Sequence, residues 1–454
     1  MFFLAPPRRT AQDCLARRRR GGARGADMPP RQMARLHHAA HAKYFLKLLE
    51  TLPEPYSSLD TNRLTVAYFC ISGLDILGAL DLVNATAVIN WVYAQQLRVP
   101  PDAPADWTGG FRGAGYLGCP FAGAAGAAPS SAFDTGHLAM TYTALAILTI
   151  LGDDLSRVDR AATLHHVRRL QQPNGSFCAY TGGESDMRFV YCAAAICTFL
   201  RDSEWRGMDA EAATAYVLSS QSYDGAIGLG PGAESHGGSM YTGLSALALL
   251  GTLGRLRRRE AIVQWCLGRQ VSRSEVPGGF PPGGGFQGRP NKDEDTCYSF
   301  WIGATLTILG AGHLSDADAL CGFAQCCQAA KGGVSKAIGA HPDVLHSYFA
   351  IAGLALVGAD GLRQLDAPLG LTLRASQAAG IQVTTDADAA VLEATIAALG
   401  LGGAIACEAP EDDCERPMEL STSTRALPSF IHSNIATKVE YEQWVRSERT
   451  TRTQ

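Results

Sequence analysis

The chain has 454 residues, of which 46% are apolar and 18% charged, enough for a sizeable core and too apolar for an intrinsically disordered protein. Its net charge of −4 is uneven: residues 1 to 36 carry nine arginines against Asp13 and Asp27, so this segment stands at +7 and the remainder at −11, an acidic body that argues against a nucleic-acid binder. Thirteen cysteines, odd in number and mostly inside apolar runs such as VYCAAAICTFL, imply free core thiols in a reducing, cytoplasmic setting, and no apolar run reaches the roughly 18 residues of a membrane span.

Residues 1–38, with ARRRRGGARG, read as a basic, disordered N-terminal tail; a start at Met28 or a targeting segment are the alternatives, and none implies an activity. A repeat then occupies residues 39–365. LTVAYFCISGLDILG, LAMTYTALAILTILG, MRFVYCAAAICTFL, MYTGLSALALLG, TCYSFWIGATLTILG and LHSYFAIAGLALVG are apolar or small nearly all round, the pattern of helices buried on every side. After the first, they recur at a spacing of roughly 50 residues. Amphipathic stretches lie between them, such as LSRVDRAATLHHVRRLQ with Leu155, Val158, Ala161, Leu164, Val167 and Leu170 on one stripe. QQPNGSF, QSYDGAIG, PGGFPPGGGF and KGGVSKAIG supply the turns. About six pairs of inner and outer helices without a polar capping repeat predict an all-α fold, a closed α-α barrel instead of an open solenoid. Residues 366–454 lack the repeat and are expected to form a peripheral, partly disordered C-terminal extension.

The unusual chemistry sits where the inner helices begin. Asp295 and Cys297 open the fifth repeat helix and His346 the sixth, so barrel closure would set a carboxylate, a thiolate and an imidazole side by side. Three protein ligands with a fourth position open is the arrangement of catalytic zinc. On spacing alone the metal signal is weak, and the same residues read first as a helix cap, a core cysteine and a helix-start histidine. Their flanks add weight. His236 in ESHGGS, Arg289 and Lys292 in GRPNKDED, and Tyr298 fall at the same end of successive repeats, where cations, donors and helix N-termini favour phosphate. An apolar funnel with such a rim suits a long prenyl diphosphate.

GRPNKDEDTCYSFWIGATL, DMRFVYCA, AESHGGS, GHLAMTYTALAILTILGDDLSRV and HPDVLHSYFAIAGLAL together resemble the β subunits of protein prenyltransferases, most of all those of the geranylgeranyl type I enzymes, across residues 40 to 360. The resemblance implies an enzyme that moves a geranylgeranyl group from geranylgeranyl diphosphate to the cysteine of a C-terminal CaaX sequence, X chiefly Leu, on proteins such as small GTPases. It implies one zinc ion per β subunit, held by Asp295, Cys297 and His346, and a helical-repeat α subunit as partner. His236, Arg289, Lys292 and Tyr298 would hold the diphosphate, and Arg188, Tyr191 and Trp301 would line the lipid channel. Thr65 resembles the small residue that leaves depth for a fourth isoprene. Lys336, ten residues before His346, stands where the farnesyl enzyme has a magnesium-binding Asp, so magnesium would not be required. Phe69 and Leu345 resemble residues that shape the pocket for X. The extra acids Asp293 and Glu294, and the expanded segment from Ser272 to Gly285, depart from the pattern and are expected to be surface variation. A farnesyltransferase β subunit is the alternative within the family, and a non-catalytic lipid- or protein-binding barrel the alternative outside it.

Overall fold

The computed structural model of the chain describes residues 36–98, 108–115, 135–272 and 283–383. The Arg-rich tail through residue 35, most of the Gly-rich segment between Ser272 and Gly285, and the extension beyond residue 383 lie outside these described residues.

In chain order the helices are α1 (His38–Glu50), α2 (Arg63–Ile76), α3 (Ala85–Tyr93), α4 (Leu138–Ile150), α5 (Arg160–Leu170), α6 (Met187–Phe199), α7 (Ala210–Ser219), α8 (Gly237–Leu249), α9 (Arg259–Leu267), α10 (Tyr298–Ile308), α11 (Ala317–Cys327) and α12 (Val344–Leu356). Even-numbered helices are the apolar repeats and form the inner layer. α4 is buried at every one of its residues, as a sequence with no polar face requires. Each inner helix packs against the next, and α12 packs back against α2, so the ring is closed. The odd-numbered helices form the outer layer. α5 buries Thr163, His166, Val167 and Leu170 and turns Arg168 and Arg169 outward. Its start differs from the stripe read in the sequence: Leu155 takes a left-handed φ of 57° and lies outside the helix. The Asp159 carboxylate accepts from the Ala162 N–H at 3.0 Å, and this cap fixes the helix start.

Two sets of hydrogen bonds lock the repeats. A helix leaves its first N–H groups without internal partners. Here the N–H of Leu64, Leu138, Met187, Gly237 and Thr296 donates to the carbonyls of Gly113, Ala179, Leu229, Gly288 and Lys336 in the following repeat, at 2.8 to 3.1 Å. The series ends where the Val344 N–H donates to the Tyr56 hydroxyl at 2.9 Å, returning the last repeat to the first. In the outer layer, the amides of Gln96, Gln171 and Gln270 accept from the N–H of Asp159, Asp209 and Asp316, the caps of the next outer helices. Gln328 closes this circle on the N–H of His37.

Antiparallel two-residue strands, β1 (Phe177–Cys178) with β2 (Ser185–Asp186) and β3 (Val334–Ser335) with β4 (Pro342–Asp343), stiffen the turns that lead into α6 and α12. After α12 the chain does not leave the barrel. β5 (Leu365–Asp366) pairs with β6 (Leu371–Thr372), α13 (Leu373–Ala378) follows, and Leu369, Leu371 and Ala375 are wholly buried. This stretch therefore departs from the peripheral extension expected after residue 365. Its burial is enforced by Asp75 of α2, which accepts from Arg363, Thr372 and Arg374. No described helix is long and apolar enough to cross a membrane, and the described cysteines are free thiols.

Candidate active site at the mouth of the barrel

The inner helices all begin at one end of the ring, so their caps meet there. Asp295, Cys297 and His346 converge as the residue types predict: one ligand atom from each lies within 4.8 Å of the others, and all three residues are buried. His346 Nε2 stands 3.4 Å from Asp295 Oδ1. Tetrahedral zinc, with bonds of about 2.0–2.3 Å, keeps its ligand atoms about 3.3–3.7 Å apart, so small side-chain adjustments bring this set to a single ion.

The donor types of the set suit a cation that displaces their protons. Burial, and then the neighbouring Asp295 carboxylate, push the Cys297 thiol well above its ordinary pKa, while Lys336 and a hydrogen bond from Trp301 act the other way. Burial alone would also favour a neutral Asp295, yet the hydrogen bond and charge of His346 hold its carboxyl below the usual value. His346 is depressed by burial but carried up to about 9 by Asp295 and Asp343. Two acidic donors and an imidazole buried against one another are what a divalent cation compensates. Lys336 Nζ, 3.5 Å from Asp295 Oδ2 and half exposed, is the nearest fixed positive charge.

Asp343 is a site residue that the sequence reading missed. Its Oδ1 caps α12 by accepting the His346 N–H at 2.9 Å, and its Oδ2 accepts from His346 Nδ1 at 2.7 Å. The imidazole is thereby oriented with Nε2 toward Asp295. The D-x-x-H spacing in HPDVLH was the available signal.

The residues expected to hold the diphosphate gather between the starts of α8 and α10. Tyr298 and His236 are joined across the α8–α10 boundary, Tyr298 Oη lying 2.8 Å from Nε2. Burial and the Arg289 charge lower His236 to about 4, so the ring is neutral. Because Nδ1 accepts the Gly238 N–H at 3.1 Å, the ring proton resides on Nε2 and is donated to Tyr298. The Tyr298 hydroxyl hydrogen is then available to an acceptor at the mouth. Gly288 makes room for this tyrosine, since a Cβ there would stand 2.0 Å from Tyr298 Cζ. Arg289 is ion-paired with Glu234 just beside His236, and Lys292 is exposed on the turn that follows. Arg188, expected in the lipid channel, stands apart at the start of α6: it is held by Asp186, the cap of α6, at 2.6 Å and lies over the Phe189 ring. Of the two acids expected at the surface, Asp293 is exposed, whereas Glu294 is half-buried and its carboxylate accepts the Gly285 N–H at 2.9 Å.

Below the mouth lies an apolar cavity. Tyr191 and Trp301 line it, together with Tyr68, Tyr142, Tyr241, Thr242, Phe300 and Phe349. Arg188, Thr65 and Phe69 are not among its lining residues. Thr65 is buried and donates to the Met140 sulfur at 3.7 Å, and Phe69 stacks on Tyr348 at 5.2 Å, behind that wall. Leu345 is half-buried at the start of α12. The ring of tyrosines was also missed. Counting from each residue whose N–H interlocks with the next repeat, the fifth position is Tyr68, Tyr142, Tyr191, Tyr241, Phe300 and Tyr348 in turn.

Comparison with known proteins agrees with this geometry. The family model for the prenyltransferase alpha-alpha toroid domain matches residues 36–371. The chain is 42% identical over 357 residues to the geranylgeranyl transferase type-1 subunit beta of Arabidopsis thaliana, covering 74% of this chain and 89% of that one. It is 36% identical to the protein of the same description in Dictyostelium discoideum, covering 74% of this chain and 95% of that one. A solved structure of Candida albicans protein geranylgeranyltransferase-I complexed with GGPP shares the fold with a TM-score of 0.66 at 24% identity, over 76% of this chain and 99% of that one. With a closed helical ring that the family model spans from residue 36 to 371, the chain belongs to the prenyltransferase α-α toroid family, among the β subunits of type-1 geranylgeranyl transferases.

Proposed function

We propose that this chain is the β subunit of a cytoplasmic, zinc-dependent heterodimer that transfers a geranylgeranyl group from its diphosphate to the cysteine of C-terminal CaaX sequences. The observation that carries this reading is the buried Asp295, Cys297 and His346 set lying beside Lys336 and directly before Tyr298, whose partner His236 caps the preceding inner helix. Asp295, Cys297 and His346 would hold the zinc ion, which as a Lewis acid lowers the pKa of a substrate thiol to near neutrality.

The chain's own residues account for the rest. As the thiolate sulfur bonds to C1 of the lipid, the C1–O bond breaks and negative charge grows on the departing diphosphate. Donors fixed before that charge appears stabilise it most strongly in the transition state. Tyr298, oriented by neutral His236, supplies a hydroxyl hydrogen; Arg289, Lys292 and Lys336 supply positive charge at the same mouth. The buried aromatic wall of Tyr191 and Trp301 receives the hydrocarbon and keeps water from the reacting carbon. Lys336 supports a magnesium-free reaction, because an ammonium fixed at the site neutralises the leaving group itself.

Transfer of labelled lipid from farnesyl and geranylgeranyl diphosphates to peptides ending in Leu or Ser, with co-expressed α subunit, tests the reading. Preferred transfer of the geranylgeranyl group to the Leu peptide is the expected result. Preferred farnesylation of the Ser peptide would replace it with the farnesyltransferase reading, and absence of any transfer with a bound metal would refute it.

A further inference from the structure

We propose that Asp224, outside both the metal set and the cavity lining, is the positioning residue of the diphosphate clamp and acts on His236 and Glu234 through Ser235. The inference rests on the prenyl-transfer reading above and adds to it what holds the clamp in place before charge grows on the leaving group.

Glu234, Ser235 and His236 lead into α8, and their side chains have three different partners. Glu234 pairs with Arg289, and His236 meets the Tyr298 hydroxyl at 2.8 Å. Ser235, between them, is buried and donates to Asp224 Oδ1 at 2.6 Å. Its backbone is bridged to Gly228, and in extended chain successive side chains point to opposite sides. The serine therefore grips the stretch from behind while its two neighbours reach the clamp. The main chain of His236 is tied less firmly, since its N–H reaches the Ile227 carbonyl at 3.3 Å. A hydroxyl bonded to a carboxylate at 2.6 Å is charge-assisted and among the stronger hydrogen bonds a protein makes.

Asp224 is a junction of three donors. Its Oδ1 also accepts the Ala226 N–H at 3.1 Å, within its own turn, and its Oδ2 accepts Trp265 Nε1 at 3.0 Å from α9. Arg269 lies over that indole at 5.2 Å and is attracted by the Asp224 charge. The corresponding turn one repeat earlier stays local: Asn174 accepts from the N–H and the hydroxyl of Ser176, both inside the turn. The outer layer shows why this repeat differs. At α5, α7 and α11 a glutamine amide accepts from the N–H of an Asp cap. At α9 the cap position is Arg258, with a left-handed φ of 53° and no capping side chain, and Gln221 donates to the Arg257 carbonyl at 2.9 Å. The bond from Trp265 to Asp224 ties turn to outer helix here, and Ser235 carries that tie to the clamp. Donors aimed at a leaving group stabilise it fully only when they are fixed to within about 0.5 Å beforehand. Releasing Ser235 loosens His236, and with it the Tyr298 hydroxyl, and Glu234, and with it Arg289.

The test uses the co-expressed heterodimer with wild-type chain, Asp224→Asn and Ser235→Ala, each also combined with Tyr298→Phe. It measures the single-turnover rate of transfer from geranylgeranyl diphosphate to a CaaX peptide ending in Leu, the KM for that peptide, and bound zinc. Asparagine offers one acceptor oxygen to three donors and turns an amide N–H against one of them. Asp224→Asn and Ser235→Ala should each slow the single turnover about tenfold, with peptide KM and zinc content at wild-type values. In the Tyr298→Phe background, which lacks the hydroxyl that His236 orients, the same substitutions should cost about threefold, because partners in one network are not additive. Ser235→Ala leaves Asp224 its bonds to Ala226 and Trp265, and it decides the matter if Asp224→Asn does not fold. A wild-type rate in folded Ser235→Ala, a fall undiminished by Tyr298→Phe, or a parallel loss of zinc or peptide affinity overturns the positioning role and leaves prenyl transfer standing. Failure of the wild-type heterodimer to transfer any prenyl group overturns the prenyl-transfer reading and the clamp with it.

Discussion

Replacing Asp343 separates two jobs that its carboxylate performs at once. Oδ1 caps α12 through the His346 N–H, and Oδ2 accepts the Nδ1 proton and so turns Nε2 toward Asp295. Loss of an N-cap costs about 1 kcal/mol of stability. Loss of the acceptor behind a ligating histidine weakens metal binding by about 10- to 100-fold, or about 1.4 to 2.7 kcal/mol. The Asp343 side chain is 37% exposed, so water can replace part of what is lost and the lower end of that range applies. Asp343→Asn keeps one carbonyl oxygen, which can serve the cap or the ring but not both, and carries no charge to favour the Nδ1 proton. It should melt within about 1 kcal/mol of wild type and lose about tenfold in zinc affinity. Asp343→Ala loses both functions and should melt lower as well. The two quantities are read independently: thermal melting of the metal-free heterodimer gives the cap, and competition against a chromophoric chelator gives zinc affinity. Wild-type zinc affinity in both variants would refute the carboxylate's role in orienting His346.

Cys297→Ala should abolish zinc retention and lipid transfer while leaving the helical circular dichroism intact, because the thiol stands at the N-cap position of α10 without a capping hydrogen bond; full turnover would reject the metal assignment. Lys336→Asp exchanges the ammonium 3.5 Å from Asp295 for a carboxylate, and transfer should become dependent on added magnesium; a titration indistinguishable from wild type would reject the charge-replacement account. His41 is wholly buried, accepting from the Gly333 N–H on Nδ1 and lying 3.3 Å from Gln328 on Nε2, and burial lowers its pKa from 6.5 to about 4. The unfolded chain therefore binds a proton that the folded one refuses, so stability is complete above pH 6.5 and falls by up to about 3 kcal/mol as pH drops toward 4. His41→Asn, which preserves the acceptor, should make the dependence of melting on pH less steep over that window, where buried His137, His166 and His236 contribute in the same direction, and an unaltered slope would show that His41 does not titrate there.

The parts of this molecule that could be read from sequence are those written within one repeat. Six apolar helices at regular spacing specify the inner layer, and Asp295, Cys297 and His346 stand at helix starts that closure must bring together. Asp343 was hidden by its ordinariness, since an Asp three residues before a helical His looks like a cap whether or not it also grips the imidazole. Glu294 looked like surplus charge because nothing local reveals that its carboxylate turns inward to the Gly285 N–H. The hairpin after α12 was illegible for a different reason. Strands of two residues carry no periodicity, and Asp75 meets Arg363, Thr372 and Arg374 across 288, 297 and 299 residues of chain. A closed ring makes such pairings unavoidable, because its first and last repeats are neighbours in space. Tyr56 completes the start of α12, the helix that carries His346, just as Asp75 fixes the hairpin that follows it. The candidate metal ligands thus come from the last two repeats, while the first repeat supports them from behind and holds the hairpin that follows α12.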